Sequence, residues 1–252
     1  MAKIALITGA TSGIGEACAH LFARENYNLV LTGRRIDRLE KLAKKLNTKY
    51  NTEIAVSSFD VRDREQVISN LEELPAKWKK VNVLINNAGL SQGLDPLQKG
   101  SFDDWDIMID TNIKGLLYVS KIVSNWMIAN NTGHIVNIGS IAGKEVYANG
   151  NVYCATKHAV DALNKAMRID LLSHGIKVTG VHPGAVETEF SEVRFKGDKE
   201  RAKKVYEGFD PLVADDIAET IWFAVSRPAH VNINDLVIMP TAQANAGTIF
   251  RK

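Results

Sequence analysis

Seven short, apolar, β-branched runs recur along the chain, separated by longer stretches with helical periodicity, and this alternation restricts the fold more than any other feature. The runs are Ile4–Thr8, Leu29–Thr32, Ile54–Phe59, Val81–Asn86, His134–Gly139, Lys177–His182 and Asp235–Ile238. Between them the patterns Ile14–Arg24, Asp37–Leu46, Arg64–Leu74, Phe102–Ala129, Val152–Ser173 and Ala214–Ser226 read as helices. Strands that alternate with helices build βαβ units and therefore a parallel sheet. Ile4–Thr8 and Val83–Ile85 are almost wholly apolar, the composition of strands covered by helices on both faces. The expectation is an α/β fold, one domain over residues 1–252, with no internal repeat, low-complexity tract or long linker.

Composition narrows the function classes. The 252 residues carry a formal net charge of +2, with 45% hydrophobic and 24% charged residues, the profile of a globular chain rather than a disordered one. A charge so near neutrality gives no nucleic-acid surface, which needs a basic excess or stripe. No apolar run approaches the roughly 20 residues of a membrane-spanning helix, and the first residues enter a strand directly, without the apolar core of a signal peptide. Cys18 and Cys154 lack metal-ligand spacing, so neither a metal site nor a disulfide scaffold is expected, and reduced thiols point to a cytoplasmic location.

The first strand runs into Thr8-Gly9-Ala10-Thr11-Ser12-Gly13-Ile14-Gly15 before a helix begins. Glycines let a backbone turn tightly and approach a pyrophosphate, while the following helix offers free N–H donors and the positive end of its dipole. Strand, glycine turn and helix in that order are the context a dinucleotide site requires.

The spacing Gly-x-x-x-Gly-x-Gly resembles that of the short-chain dehydrogenase/reductase family, and the rest of that family's signature follows in order: Asp60-Val61, Asn86-Asn87-Ala88-Gly89, Asn112, Ser140, Tyr153-x-x-x-Lys157 and Pro183-Gly184. The resemblance covers nearly the whole chain. It implies a Rossmann-type doubly wound parallel sheet of about seven strands, in the order 3-2-1-4-5-6-7, with helices on both faces. It also implies a coenzyme site formed by Gly9, Thr11, Ser12, Gly13, Ile14, Gly15, Asp60, Val61, Asn87, Ala88, Gly89, Tyr153, Lys157, Pro183, Gly184, Val186 and Thr188. At the end of the second strand, NAD-preferring folds place a carboxylate on the ribose, which would repel the 2′-phosphate of NADP. Here the sequence reads Gly33-Arg34-Arg35, and guanidinium forks suit a phosphate. NADP(H) is therefore the expected coenzyme, with Arg34 before Arg35 as phosphate partner.

Tyr153 and Lys157 stand four apart in a helical stretch and so share a face. A free phenol has a pKa near ~10, and an adjacent ammonium would lower it. Tyr153 is the expected general acid for carbonyl reduction and base for alcohol oxidation. Ser140 would hold the substrate oxygen, Lys157 would tune Tyr153 and bind the coenzyme ribose, and the resemblance gives Asn112 a positioning and water-anchoring part. Cys154 reads as core and His158 as a helix-face residue, with a substrate role for His158 left open. His134 carries no expected chemistry, and Trp105, Met108 and Trp126 read as helix core or subunit contact.

The segments Met108–Asn112, Gly150–Tyr153, Thr188–Ser191, Val193–Gly197 and Pro228–Asn234 look like one branch of the family, the NADP-dependent 3-hydroxy acid dehydrogenases, with sulfoacetaldehyde reductases nearby. Members act on serine, L-allo-threonine, 3-hydroxy acids and malonic semialdehyde, so the implied substrate is a small hydroxy or oxo acid. Its anion needs a cation. Arg194, in the charged segment 184–211 that follows the sixth strand, is the leading candidate, with Lys144 and Gln92 as further options and a surface ion pair as the other use of Arg194. The segment itself reads either as a lid over the carboxyl edge of the sheet or as a solvated insertion. Lys144-Glu145-Val146 departs from the small or aromatic residues that relatives carry after the serine. The resemblance further implies a homotetramer, with the tail 240–252 docked on a neighbouring subunit or disordered. Alternatives are a 3-oxoacyl carrier-protein reductase, a general carbonyl reductase, or a non-catalytic NADP-binding regulator.

Overall fold

The computed structural model describes residues 2–252. Seven strands, β1 (Ile4–Ile7), β2 (Asn28–Gly33), β3 (Ile54–Ser58), β4 (Val83–Asn86), β5 (His134–Ile138), β6 (Lys177–Pro183) and β7 (Asp235–Ile238), form one sheet in the order β3-β2-β1-β4-β5-β6-β7. Every neighbouring pair is parallel. The order reverses direction between β1 and β4, and the carboxyl ends of those two strands open the crevice where such sheets bind ligands.

Side chains alternate across each strand, so one strand feeds two cores. Ala5 and Ile7 of β1, with Leu29 and Leu31 of β2, face the cluster closed by α1 (Gly13–Arg24), α2 (Ile36–Tyr50) and α9 (Ala214–Val225). Ile4, Leu6 and Val30 face the opposite cluster, closed by α3 (Arg64–Glu72), α5 (Leu116–Ala129) and Met167 of α6 (Asn151–Asp170). This is why the strands read as unbroken apolar runs. Leu6, Ile7, Leu29, Leu31, Leu84 and Ile85 are fully buried, each side chain contributing about 1.5–3 kcal/mol of burial.

The single helix expected over 102–129 is interrupted. α4 (Phe102–Ile109) passes into a π-helical turn at Asp110–Gly115 before α5 resumes. An extra residue in one turn widens the ladder, a feature that recurs at functional sites, and Thr111 and Asn112 are buried inside it. Gly115 completes the fit, because a Cβ there would stand 2.7 Å from Val61 Cγ2.

The charged segment after β6 carries two short helices, α7 (Phe190–Arg194) and α8 (Lys199–Lys204), and a parallel bridge between Val186 and Leu212 joins its ends. The tail is ordered and folds back over this same segment. Gln243 and Ile249 form an antiparallel bridge, Arg251 donates to the carbonyls of Val205 and Glu207, and Lys252 N donates to Gly208 O at 2.8 Å. Among the described residues no helix is long and apolar enough to cross a membrane.

Candidate active site

The glycine turn is built by mutual contact with the end of β4. Thr8 Oγ1 accepts from the amides of Asn87 and Ala88, both at 3.0 Å, and Asn87 Nδ2 donates to Thr8 O and Gly9 O at 2.9 and 3.1 Å. Gly9 and Gly13 take positive φ, +67° and +53°, a region open to glycine at no steric cost. At Gly15 a Cβ would lie 2.3 Å from Gly9 O, so the turn can close onto α1 only without a side chain. Ser12 precedes α1 in extended conformation with its side chain not capping the helix, and the first amides keep their donors for an anion.

A cleft of about 450 Å³ opens from this turn along the carboxyl edge of the sheet, within the roughly 300–1,000 Å³ of small-molecule sites. It takes in every residue expected at the coenzyme except Gly15, which lies beneath the turn, together with Ser140 and Arg194. The glycine cradle, the free helix N-terminus and the arginine rim together fit a dinucleotide.

At the rim, Arg34 is largely exposed, with Nη1 3.9 Å from Asp60 Oδ2. Asp60 is gripped more closely by Arg62, at 3.0 and 3.1 Å through Nε and 2.6 Å through Nη2. Burial pushes the Asp60 carboxyl up, but the hydrogen bonds from Arg62 outweigh it and hold the pKa below the ordinary value. Arg35 turns toward the glycine turn, donating to Thr11 Oγ1 at 2.8 Å and Ser12 Oγ at 3.0 Å, and its Nη1 meets Glu189 Oε2 at 3.0 Å. Arg38 joins the same carboxylate, Nη1 to Oε1 at 2.8 Å. The sequence reading missed Arg38 and the rim position of Glu189. The signal for Arg38 was its place three residues after Arg35 on one helix face; Glu189 gave none.

Deeper in the cleft, Tyr153 and Lys157 of α6 are buried, at 9% and 6% exposure. Lys157 Nζ donates to Ile138 O at 2.8 Å. Ser140 Oγ caps the 3-10 turn Ile141–Gly143 by accepting from Ala142 N at 3.1 Å, and its longer contact, 3.5 Å, is to Pro183 O. That turn packs directly on α6, since a Cβ at Gly143 would stand 2.5 Å from Lys157 O. Asn112 ties the π-turn to both sides of the site. Its Oδ1 accepts from Leu90 N at 2.9 Å, and its Nδ2 donates to Leu90 O at 2.8 Å and Thr156 Oγ1 at 3.0 Å. Thr156 Oγ1 in turn donates to Tyr153 O at 2.8 Å.

The electrostatics differ from expectation in one respect. A lowered Tyr153 pKa was expected from the neighbouring ammonium, yet in the polypeptide by itself burial pushes the phenol well above its ordinary value. The charge of Arg194 opposes that rise, Tyr147 adds to it, and a hydrogen bond with Ser140 again opposes it. Burial likewise draws Lys157 from 10.5 down to about 8. Desolvation dominates at both groups because both side chains are buried at the floor of the cleft.

Arg194, from α7, enters this site. Its guanidinium lies 5.1 Å from the ring centroids of Tyr153 and Phe190 and 5.9 Å from that of Tyr147, and Nη2 donates to Tyr147 Oη at 2.8 Å. Its Nε is buried without a partner. Gly93 N donates to Arg194 O at 3.0 Å and fixes the backbone beneath it. A surface ion pair, the other use weighed for this residue, is not what it makes here: its side-chain acceptor is a phenol. Lys144, by contrast, is a corrected expectation. Its Nζ lies 2.6 Å from Asp161 Oδ1 and 3.4 Å from Asp235 Oδ1, away from the cleft. Those carboxylates and His182 bring three ligand atoms within 4.8 Å of one another, and the Lys144 ammonium already satisfies two of the three. Gln92 lines a much smaller pocket beside Tyr153 rather than the main cleft. Tyr147 and Phe190 belong to the Arg194 box, and Gln243, Ala246 and Ile249 of the tail line the cleft mouth; the sequence reading assigned none of the five a site role. Cys154 and Met108 pack beside Tyr153, Trp105 lies against them, and Trp126 joins the second core. His158 Nδ1 bonds back to Cys154 O at 2.9 Å.

Relatives carry the same architecture. The NADP-dependent 3-hydroxy acid dehydrogenase YdfG of Salmonella typhi is 46% identical over 245 residues, 97% of each chain. Sulfoacetaldehyde reductase 2 of Chromohalobacter salexigens is 45% identical over 245 residues, covering 97% of this chain and 96% of that one. Among solved structures, the closed form of serine dehydrogenase complexed with NADP+ superposes with a TM-score of 0.92 at 43% identity, covering 99% of both chains. The sequence model of the short chain dehydrogenases matches residues 3–199. The glycine turn, the strand order and the Ser140–Tyr153–Lys157 neighbourhood are thus accompanied by similarity along the whole chain, which belongs to the short-chain dehydrogenase family.

Proposed function

We propose that the chain is an NADP(H)-dependent oxidoreductase that interconverts a small 3-hydroxy acid, such as serine, L-allo-threonine or 3-hydroxypropionate, with its carbonyl partner. The observation that carries the substrate class is Arg194: a guanidinium laid against Tyr153, with a buried Nε that has no acceptor. A donor so placed calls for an anion close to the reacting carbon, because an unsatisfied buried donor is costly. The names of the relatives, a 3-hydroxy acid dehydrogenase, a sulfoacetaldehyde reductase and a serine dehydrogenase, share that chemistry.

When bound, the nicotinamide supplies or accepts the hydride. Tyr153 Oη gives a proton to the carbonyl oxygen in reduction and takes one from the hydroxyl in oxidation. Its raised pKa keeps it protonated and ready as the acid at neutral pH. Ser140 accepts from Ala142 N, its contact to Pro183 O is long, and it stands beside the Tyr153 hydroxyl, so its own hydroxyl can donate to a substrate oxygen placed there. Lys157 spends one of its three donors on Ile138 O, and the other two serve the coenzyme ribose. Asn112 is a positioning residue: with Oδ1 and Nδ2 engaged, it locks α6 against the strand-end loop at Leu90. Arg194 binds the substrate carboxylate, Arg34 and Arg35 take the 2′-phosphate, and the segment 184–211 acts as the lid. The assembly is a cytoplasmic homotetramer of single-domain chains, a reading supported by the free, buried cysteines and by exposed Leu117 and Ile169 on α5 and α6.

An NADP+ reduction screen over serine, L-allo-threonine, 3-hydroxypropionate, 3-hydroxyisobutyrate, a 3-hydroxyacyl thioester and simple secondary alcohols tests the reading, with NAD+ in parallel. Higher kcat/KM on the thioester or on uncharged alcohols than on the free acids would overturn the substrate class, and preference for NAD+ would overturn the coenzyme.

A further inference from the structure

Two guanidiniums on the rim of the coenzyme cleft share one carboxylate. Glu189 Oε1 lies 2.8 Å from Arg38 Nη1 and Oε2 lies 3.0 Å from Arg35 Nη1. Each oxygen takes a different arginine, the arrangement two oxygens of a phosphate adopt. Arg35 is simultaneously anchored on Thr11 Oγ1 and Ser12 Oγ, beside the glycine turn. The carboxylate therefore sits where positive charge at the end of β2 awaits a coenzyme phosphate. Burial raises the Glu189 carboxyl, but the hydrogen bonds from Arg38 and Arg35 outweigh it and keep the group charged.

We propose that Glu189 is a specificity-determining latch: its carboxylate, held by Arg35 and Arg38, occupies the Arg35 side of the 2′-phosphate seat, and a 2′-phosphorylated nucleotide must displace it to bind. The proposal rests on the NADP(H) reading above and goes beyond it, since it gives a lid residue control over that preference. One observation and two physical arguments support exchange rather than permanent pairing. Glu189, Arg35 and Arg38 keep 42%, 40% and 45% side-chain exposure, so water can replace either partner. Exposed pairs of this kind are worth a factor of roughly 1.5 to 5 each, weak enough for a bound dianion to break. A phosphate on Arg35 and Arg38 would also stand against the carboxylate, and like charges at such distances repel. The position of Glu189 completes the argument. It directly precedes α7, which carries Arg194, and the adjacent Thr188 packs at 3.2 Å on the Cβ position of Gly13. The latch thus fastens the beginning of the lid onto the coenzyme's adenosine end.

Calorimetric titration of wild type and Glu189→Gln with 2′,5′-ADP and with 5′-AMP tests the proposal without turnover. Wild type should bind 2′,5′-ADP more tightly than 5′-AMP. Glu189→Gln should tighten 2′,5′-ADP by roughly three- to tenfold, leave 5′-AMP within about twofold, and show a gain that shrinks at high salt as screening weakens the competing pairs. Retained 5′-AMP binding also reports a folded cleft. Unchanged or weaker 2′,5′-ADP binding in the variant would overturn the latch while leaving the coenzyme assignment standing. Equal tightening of both nucleotides would overturn it as well, because the effect would not depend on the 2′-phosphate. No preference for 2′,5′-ADP in wild type would remove the NADP(H) assignment itself, and the latch with it.

Discussion

The Arg194 guanidinium rests 5.1 Å from the centroid of the Tyr153 ring, so one side chain from α7 and one from the core helix α6 share a wall of the same site. The permanent charge of Arg194 restrains the Tyr153 phenol against the rise that burial imposes. The proposed anion site and the proposed proton donor are therefore one unit, and changes at either reach the other.

Replacing Tyr153 by Phe removes the transferable proton and keeps the ring that packs against Leu90, Met108 and Ala142. Turnover should fall by about 10²–10⁴-fold or more, while nucleotide binding measured by fluorescence stays within a few-fold of wild type. Turnover within a few-fold of wild type would assign the proton to another group.

Arg194→Met preserves much of the packing on Tyr147 and Phe190 and deletes the charge. For a 3-hydroxy acid, kcat/KM should drop by roughly 30- to 1,000-fold, the cost of losing one partner of a desolvated charge pair. An uncharged alcohol should lose much less, only what the Tyr153 phenol owes to the Arg194 charge. Parallel losses on both substrates, seen in steady-state kinetics, would instead mean that Arg194 only supports the shape of the site.

Much of this frame is legible in the sequence, and the reasons it stops are specific. Ile4–Ile7 and Val83–Asn86 declare themselves as buried parallel strands because both faces of each strand meet a core. Tyr153, Lys157 and Ser140 stand out through local spacing within a resemblance that spans the chain. The interruption at Asp110–Gly115 leaves no trace in hydrophobic periodicity, since an inserted residue shifts the pattern by less than the scatter of real helices. Lys144 looks like a free cation until folding brings Asp161 and Asp235, 17 and 91 residues away, onto its ammonium. Glu189 pairs with Arg35 across 154 residues, and the sequence holds nothing that joins them.

Lys157 illustrates a conflict between stability and function. Its pKa of about 8 against an ordinary 10.5 reflects burial of a charge, which corresponds to about 3 kcal/mol at neutral pH. The sign follows from linkage: between about pH 8 and 10.5 the unfolded chain holds this proton and the folded chain does not, so stability attributable to Lys157 rises with pH across that window. Lys157→Met should unfold at higher temperature than wild type at pH 7, by about 1–3 kcal/mol, and lose turnover. A variant less stable at pH 7 in thermal or urea unfolding would show that the bond to Ile138 O outweighs the desolvation.

His134 should limit the acid stability of the β5–β6 core. Thr179 Oγ1 donates its only hydrogen to Ile233 O at 2.6 Å, so His134 Nε2, at 2.8 Å, must be the donor to Thr179, and Nδ1 is left buried without a partner. Burial, helped by the charge of Lys177, draws this pKa from 6.5 to about 3. Between those values the unfolded chain binds a proton that the folded chain refuses, so stability falls as pH drops through that range. At pH 5 the loss from this residue should be about 2 kcal/mol relative to pH 7. His134→Phe should flatten that part of the urea-unfolding profile; an unchanged profile would place the acid sensitivity elsewhere.

The most direct measurement is kcat/KM of the wild-type protein with NADP+ on 3-hydroxyisobutyrate and on its methyl ester, two substrates that differ at the anion alone. The account predicts that the acid is favoured by about 30-fold or more, because Arg194 holds its carboxylate beside Tyr153. Equal or better turnover of the ester would contradict it.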